Sequence, residues 1–92
     1  MPVTVHLSGH LKAHTNGAVE VSLAGEFVIV GDVLDALWKL HPALRDRVLN
    51  EQGEIRQHVN IFAGNDSVKR RQGLATKLIS DEIHIFNAVS GG

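Results

Sequence analysis

The chain has 92 residues, room for one domain and one core. Its formal net charge of -1 excludes a general nucleic-acid or anionic-membrane surface, which needs a large positive excess. No cysteine is present, so disulfides, a thiol nucleophile and a thiolate metal site are excluded as well.

The opening stretch "MPVTVHLSGH" lacks a basic segment followed by a long apolar run, so no signal peptide is read there. The longest apolar stretch, Phe27 to Val30, is far too short to span a bilayer, and a cytoplasmic setting is expected. Val3, Val5 and Leu7 alternate with Thr4 and His6, the period of a half-buried strand. "HTNG", residues 14–17, carries Asn-Gly, which accepts the positive φ of a tight turn. Val19, Val21 and Leu23 then alternate with Glu20 and Ser22, which predicts a hairpin between the two strands.

The period changes in "VGDVLDALWKLHPAL". Val33, Leu34, Leu37, Trp38 and Leu40 recur at helical spacing and form one apolar stripe. Asp32 and Asp35 fall in the first turn, where carboxylates meet the positive end of the helix dipole; Asp32 is the N-cap, or the helix begins a residue or two earlier. Pro42 is expected to end or kink the helix near Leu40, and Leu44 with Val48 extends helical character for a turn or two. "NEQGE" is a loop. Val59, Ile61 and Ala63 alternate with His58, Asn60 and Phe62 as a further strand, and "GNDS" is a turn. A short edge strand is expected near Val68 to Arg70, then a loop or single helical turn. Ile83 and Ile85 alternate with His84 and Phe86 in the last strand.

Strands at both chain ends with one long helix between them give the α+β layout of a β-grasp, ubiquitin-like roll: a mixed four- to five-stranded sheet covered on one face by one main helix. In that layout the first and last strands pair at the sheet centre. Phe62 and Phe86 then point to the uncovered face, where exposed aromatics mark a partner site unless twist or a loop covers them. "KRR", residues 69–71, is a small basic patch, read as a solvated face or as a contact for an acidic partner.

Catalysis has little to work with. Helix-start charge accounts for Asp32 and Asp35, "LSGHL" lacks a nucleophile-elbow pattern, and no Gly-rich phosphate loop is visible. His6, His10 and His14 are four apart, but in a strand that spacing separates side chains by about 13 Å. They are expected to be solvated, and no metal site is expected. What remains is "FNAVSGG" at the C-terminus. Terminal glycines add almost nothing to a core. They are either the remnant of an expression tag or a slender working arm with a free carboxylate. A carboxylate adenylated by an ATP-using partner accepts a sulfur nucleophile to give a thiocarboxylate, or a lysine amine to give an isopeptide bond.

"HVNIFAGNDSVKRRQGLATKL" followed by "DEIHIFNAVSGG", with "VGDVLDAL" and "HPALRDRVL" before them, resembles the ThiS/MoaD family of small β-grasp sulfur carriers over nearly the whole chain. "GLAT" some fifteen residues before a terminal Gly-Gly is the more specific sign; the tail is most similar to carriers of cysteine synthesis and natural-product thiolation, and less so to the molybdopterin-synthase subunit. The resemblance implies a single domain over 1–92 with a flexible Gly-Gly tail and no turnover of its own. It implies adenylation of Gly92 by a ubiquitin-activating-like adenylyltransferase/sulfurtransferase, conversion to a thiocarboxylate, and sulfur donation to a second biosynthetic enzyme. Gly91 and Ser90 would thread the partner's channel, and Phe62, Phe86, Val89 and Arg70 would meet partner surfaces. No cofactor would be bound; ATP is used by the activating partner. A protein modifier joined to lysines through Gly92, or a plain binding subunit, are the other readings. The chain departs from the family's pattern in Asn87 where Pro is frequent, in the glycine-free "ISDEI" before the last strand, in Ile29 where Ser or Thr caps the helix, and in "KRR".

Overall fold

The computed structural model describes residues 2–87. Five strands, β1 (Val3–Leu7), β2 (Glu20–Leu23), β3 (Val59–Ala63), β4 (Asp66–Ser67) and β5 (Glu82–Asn87), form one sheet in the order β2-β1-β5-β3-β4. β1 and β5 are parallel and adjacent at its centre, and the other pairings are antiparallel. This is the mixed β-grasp sheet expected from the order of the elements.

Period-two alternation does the sorting. Val3, Val5 and Leu7 from β1, Ile83 and Ile85 from β5, and Val59, Ile61 and Ala63 from β3 are buried on one face. Helix α1 (Val30–Leu40) covers that face with Val30, Val33, Leu34 and Leu37, all essentially inaccessible to solvent. Leu40, expected on the same stripe, is 58% exposed: it is the last residue of α1, and the chain turns away at His41. Helix α2 (Pro42–Val48) follows with Pro42 in its first turn, where the missing N–H and fixed φ are tolerated, and buries Leu44 and Val48.

Ile29 occupies the N-cap of α1 and has no side-chain acceptor to offer. Asp32, three residues on, makes the other half of a capping box, reaching back from inside the helix to the amides before it. Its Oδ2 accepts from the N–H of Val28 at 2.9 Å and of Ile29 at 3.1 Å. These two backbone bonds, Ile29 first and Val28 second, hold the Asp32 carboxyl below its ordinary 3.8.

Two connections differ from the sequence-based expectation. β1 and β2 do pair antiparallel, but a short 3-10 helix (Gly9–His14) replaces a tight hairpin loop and buries Leu11 against the core. Asn16 and Gly17 close that connection at φ 54° and 90°, the left-handed geometry anticipated for Asn-Gly. Val19 lies outside β2 and is exposed. The short edge strand falls at Asp66–Ser67 rather than at residues 68–70, which coil into a single 3-10 turn because Val68 is drawn fully into the core. Before β5, where no glycine is available, Ser80 makes the turn: its hydroxyl accepts from the Glu82 N–H at 3.1 Å.

Two stretches far apart in sequence close the helix side. The "VGDVL" start of α1 meets the "GLAT" segment: the Val30 N–H donates to the Thr76 carbonyl at 2.9 Å, and the Leu78 N–H to the Val28 carbonyl at 2.9 Å. A Cβ at Gly31 would sit 3.1 Å from the Leu74 carbonyl oxygen, so glycine permits this approach.

Leu37→Ala is expected to destabilise the fold by about 2–5 kcal/mol, measured by urea unfolding, since Leu37 is fully buried between helix and sheet. Asp32→Ala is expected to lower the melting temperature at neutral pH. The folded-state pKa of Asp32 is depressed, so its contribution is present above the ordinary value and lost as pH falls through the folded one. The gap between wild type and variant in thermal scans therefore closes toward strongly acidic pH.

Candidate functional site

The uncovered face of the sheet is built by the alternate residues of the same strands. Register places one row straight across it: Glu20 on β2 opposite His6 on β1, His6 opposite His84 on β5, and His84 opposite Phe62 on β3. Asn60 and Phe86 pair in the next row. The face thus divides into a polar half, over β2, β1 and the start of β5, and an aromatic half over β3 and the end of β5.

Phe62 and Phe86 come together as the alternation predicts. Their rings stack with centroids 5.7 Å apart and 25° between planes. Phe86 remains 37% exposed and Phe62 is half-buried, so mutual contact covers part of the pair and leaves an apolar surface to solvent. Gly64, Asn65 and His84 join them around a shallow depression. Phe62 also borders a polar cleft with Asn60, Asp66, Ser67, Arg70 and Arg71. A larger cavity of about 690 Å³ lies elsewhere, between Val3, Phe27, Ile79 and Ser80, and holds none of the expected site residues.

The basic run divides its labour. The Lys69 ammonium donates to the carbonyls of Arg56 and Gln57, both at 2.9 Å, and the Arg71 guanidinium pairs with Asp66 at 3.3 Å. Arg70 is exposed, beside the Phe62 cleft, and makes no side-chain ion pair among the described residues. The structure therefore brings Phe62, Phe86 and Arg70 to one side of the molecule. Val89, Ser90, Gly91 and Gly92 lie outside the described residues.

The polar half holds a cluster that reading the sequence by local spacing missed. Glu82 Oε1 is 3.0 Å from His6 Nε2, Glu20 Oε1 is 3.4 Å from His6 Nδ1, and the His6 and His84 rings stack at 4.6 Å. His10 and His14, considered with His6 on spacing alone, sit instead on the 3-10 helix of residues 9–14. The signal that finds the real neighbours is strand pairing between the two ends of the chain. Asp32 and Asp35, weighed as carboxylates, belong to the start of α1.

Chemically, the described residues offer a sheet face with a partly exposed aromatic pair, an exposed cation and a carboxylate–imidazole cluster. No helix among them is long and apolar enough to cross a membrane. The sheet order and the covering helix define a ubiquitin-like β-grasp protein. The chain belongs to the ThiS/MoaD-like β-grasp family of sulfur carriers and ubiquitin-like modifiers. It is 38% identical over 74 residues, 80% of each chain, to small archaeal modifier protein 1 of Haloferax volcanii, whose crystal structure matches with a TM-score of 0.82 over the full length of both chains. It is 32% identical, over 100% of both chains, to the sulfur carrier protein CysO of Mycobacterium tuberculosis. A chain of the Amycolatopsis orientalis BexX/CysO complex matches with a TM-score of 0.81 at 25% identity, covering 98% of this chain and 99% of that one. No family model matches the sequence.

A double-mutant cycle of Phe62→Ala and Phe86→Ala is expected to give a coupling of about 0.5–1.5 kcal/mol in unfolding free energy, the value of a stacked aromatic pair.

Proposed function

We propose that this protein carries sulfur as a thiocarboxylate on Gly92. The observation that carries this reading is the full-length match to a protein named as a sulfur carrier. An activating enzyme of the ubiquitin-activating kind binds the domain and uses ATP: the Gly92 carboxylate attacks the α-phosphate, pyrophosphate leaves, and the carbonyl becomes an acyl adenylate. A sulfide-equivalent nucleophile then attacks that carbonyl and AMP departs, leaving a terminal thiocarboxylate. Its anion is the nucleophile toward the acceptor substrate on a second biosynthetic enzyme, by the same logic that makes the thiolate the reactive form of a thiol. Gly91 and Ser90 keep the arm narrow enough to enter the activating site. The protein itself turns nothing over, binds no nucleotide, and acts in the cytoplasm, where its ATP-using partner works.

The aromatic half of the open face is the docking surface in this scheme, with Phe62 and Phe86 at its centre and Arg70 at its rim, and Val89 is a further contact for the partner. The similar A. orientalis structure is of a BexX/CysO complex, which supports a partner-binding role for the domain. A second reading, attachment of Gly92 to lysines of other proteins, is favoured by the 38% identity to a protein named as a modifier. Both readings share the adenylate and differ in the nucleophile that meets it.

Intact protein recovered from its native host is expected to carry a form heavier by the difference between a sulfur and an oxygen atom, and deletion of Gly92 is expected to abolish it. Unchanged sulfur transfer in cells carrying the Gly92 deletion would overturn the proposal; ladders of conjugates on a blot, without the heavier form, would select the modifier reading. Phe86→Ala is expected to weaken binding to the activating enzyme by about 2 kcal/mol, as truncating a central aromatic anchor does. Arg70→Ala acts mainly on the association rate and its salt dependence.

A further inference from the structure

The parallel pairing of the first and last strands assembles a set of metal-ligating side chains from opposite ends of the chain. His6 and His84 are direct cross-strand partners, and their rings lie 12° from parallel. Glu82, two residues before His84, shares its face. One donor atom each from His6, Glu82 and His84 lie within 4.8 Å of one another. Both histidines are half-buried and Glu82 is exposed, so the three are fixed by the sheet yet open to an ion from solvent.

We propose that His6, Glu82 and His84 form a binding site for a divalent transition metal, zinc being the ion that fits best. Two imidazoles and one carboxylate are a donor set that suits zinc, whereas magnesium and calcium require oxygen ligands throughout. Zinc bonds of about 2.0–2.2 Å place donors roughly 3.3 Å apart in a tetrahedron. Adjacent strands already hold the two imidazoles near their spacing of about 4.8 Å. The rings are stacked nearly parallel, so at least one imidazole turns out of the stack about its χ angles for the two lone pairs to converge on one ion, a movement that half-exposed positions allow.

The cluster also contains the outer carboxylate that such sites use. The two ring nitrogens of His6 face two different carboxylates, Glu82 at Nε2 and Glu20 at Nδ1. A metal ion takes the place of the proton at Nε2. The remaining N–H is then at Nδ1, aimed at Glu20, which fixes the tautomer and makes the imidazole a better donor. Glu20 is thus a positioning residue and not a ligand. Two carboxylates offset the charge of a divalent ion without a hydrophobic enclosure. Three protein ligands leave one coordination position toward solvent, on the same face as Phe62 and Phe86, for water or for a donor from a docked protein.

The test is zinc titration of the untagged full chain at neutral pH by calorimetry, with cobalt substitution read by visible absorption. Wild type is expected to bind one equivalent in the micromolar range, with a cobalt spectrum of low coordination number. His84→Gln and His6→Gln are each expected to weaken binding by about tenfold or more and to lose that spectrum. Glu20→Gln is expected to weaken it by roughly 10–100-fold while keeping the spectrum, the mark of an outer-shell partner. His58→Gln, in the turn before β3, whose first residue Val59 pairs with Asn87 rather than with the Glu82–His84 end of β5, is the control and is expected to bind as wild type. Circular dichroism confirms that each variant is folded. Amide shifts on zinc addition, confined to residues around 6, 20, 82 and 84, locate the ion independently of the substitutions. Binding no tighter than millimolar in wild type, equal affinity in His6→Gln and His84→Gln, or shifts centred on other histidines would overturn the proposal. None of these measurements involves Gly92, so the result is independent of the sulfur-carrier reading.

Discussion

The parallel contact between β1 and β5 is the constraint from which both faces of this molecule follow. It joins the two ends of the chain at the middle of the sheet, so the inner face becomes a continuous apolar surface running from Val21 and Leu23 through Val5 and Ile83 to Ile61. The eleven-residue helix α1 covers that surface, and Leu44 and Val48 of α2 with Leu11 and Val68 complete the core. Among the described residues no second layer covers the other side. The outer positions of the same strands are therefore committed to solvent or to a partner, and their chemistry is set by residue parity alone: Glu20, Thr4, His6, Glu82, His84, Phe86 and Phe62 all follow from which neighbours point inward.

The helix side shows how two short sequence patterns become one structural feature. "VGDVL" and "GLAT" are separated by some forty residues, yet they touch through the Val30–Thr76 and Val28–Leu78 backbone bonds and the approach of Leu74 to Gly31. A side chain at Gly31 would press on a backbone carbonyl, and the Gly73–Ala75 turn must hold that carbonyl in place. The departure at Ile29 is absorbed within this contact. A serine or threonine at the N-cap would accept from the second or third amide of the helix; here the Asp32 N–H donates to the Ile29 carbonyl at 3.0 Å instead, while the Asp32 carboxylate holds the amides of Val28 and Ile29.

Much of this was legible in the sequence because it rests on short-range periodicity. Val3–Val5–Leu7, Val59–Ile61 and Ile83–Ile85 declare their strands, and once Ile83 and Ile85 are placed inward, Phe86 must face outward. The stacking of Phe62 on Phe86 follows from that parity plus one strand pairing. Local spacing failed where burial overrode it. Val68 reads as a strand residue by its neighbours but is pulled into the core by a turn, and the connection after β1 hides a 3-10 helix anchored by Leu11. The histidine cluster was illegible for a different reason. His6 and His84 are neighbours only through the register of a parallel pair, and an even count of residues along one strand says nothing about a strand arriving from the other end of the chain.

The two halves of the open face are not independent, because His84 belongs to both. It stacks on His6 toward the polar side, and toward the other it lines the depression between Phe62 and Phe86. A protein that buries the aromatic pair must also strip water from His84 and approach Glu82. Removing solvent from a carboxylate is costly unless a cation or a donor replaces it. A surface that extends from the two phenylalanines over His84 would reach the edge of the Glu82 carboxylate, and its affinity would suffer unless it offered a donor there. A matching partner needs an apolar pocket flanked by a positive or hydrogen-bond-donating rim, and the spacing of that rim is fixed by the distance between adjacent strands. The row Glu20–His6–His84–Phe62 thereby acts as one ruler across the sheet, with charge at one end and an aromatic ring at the other.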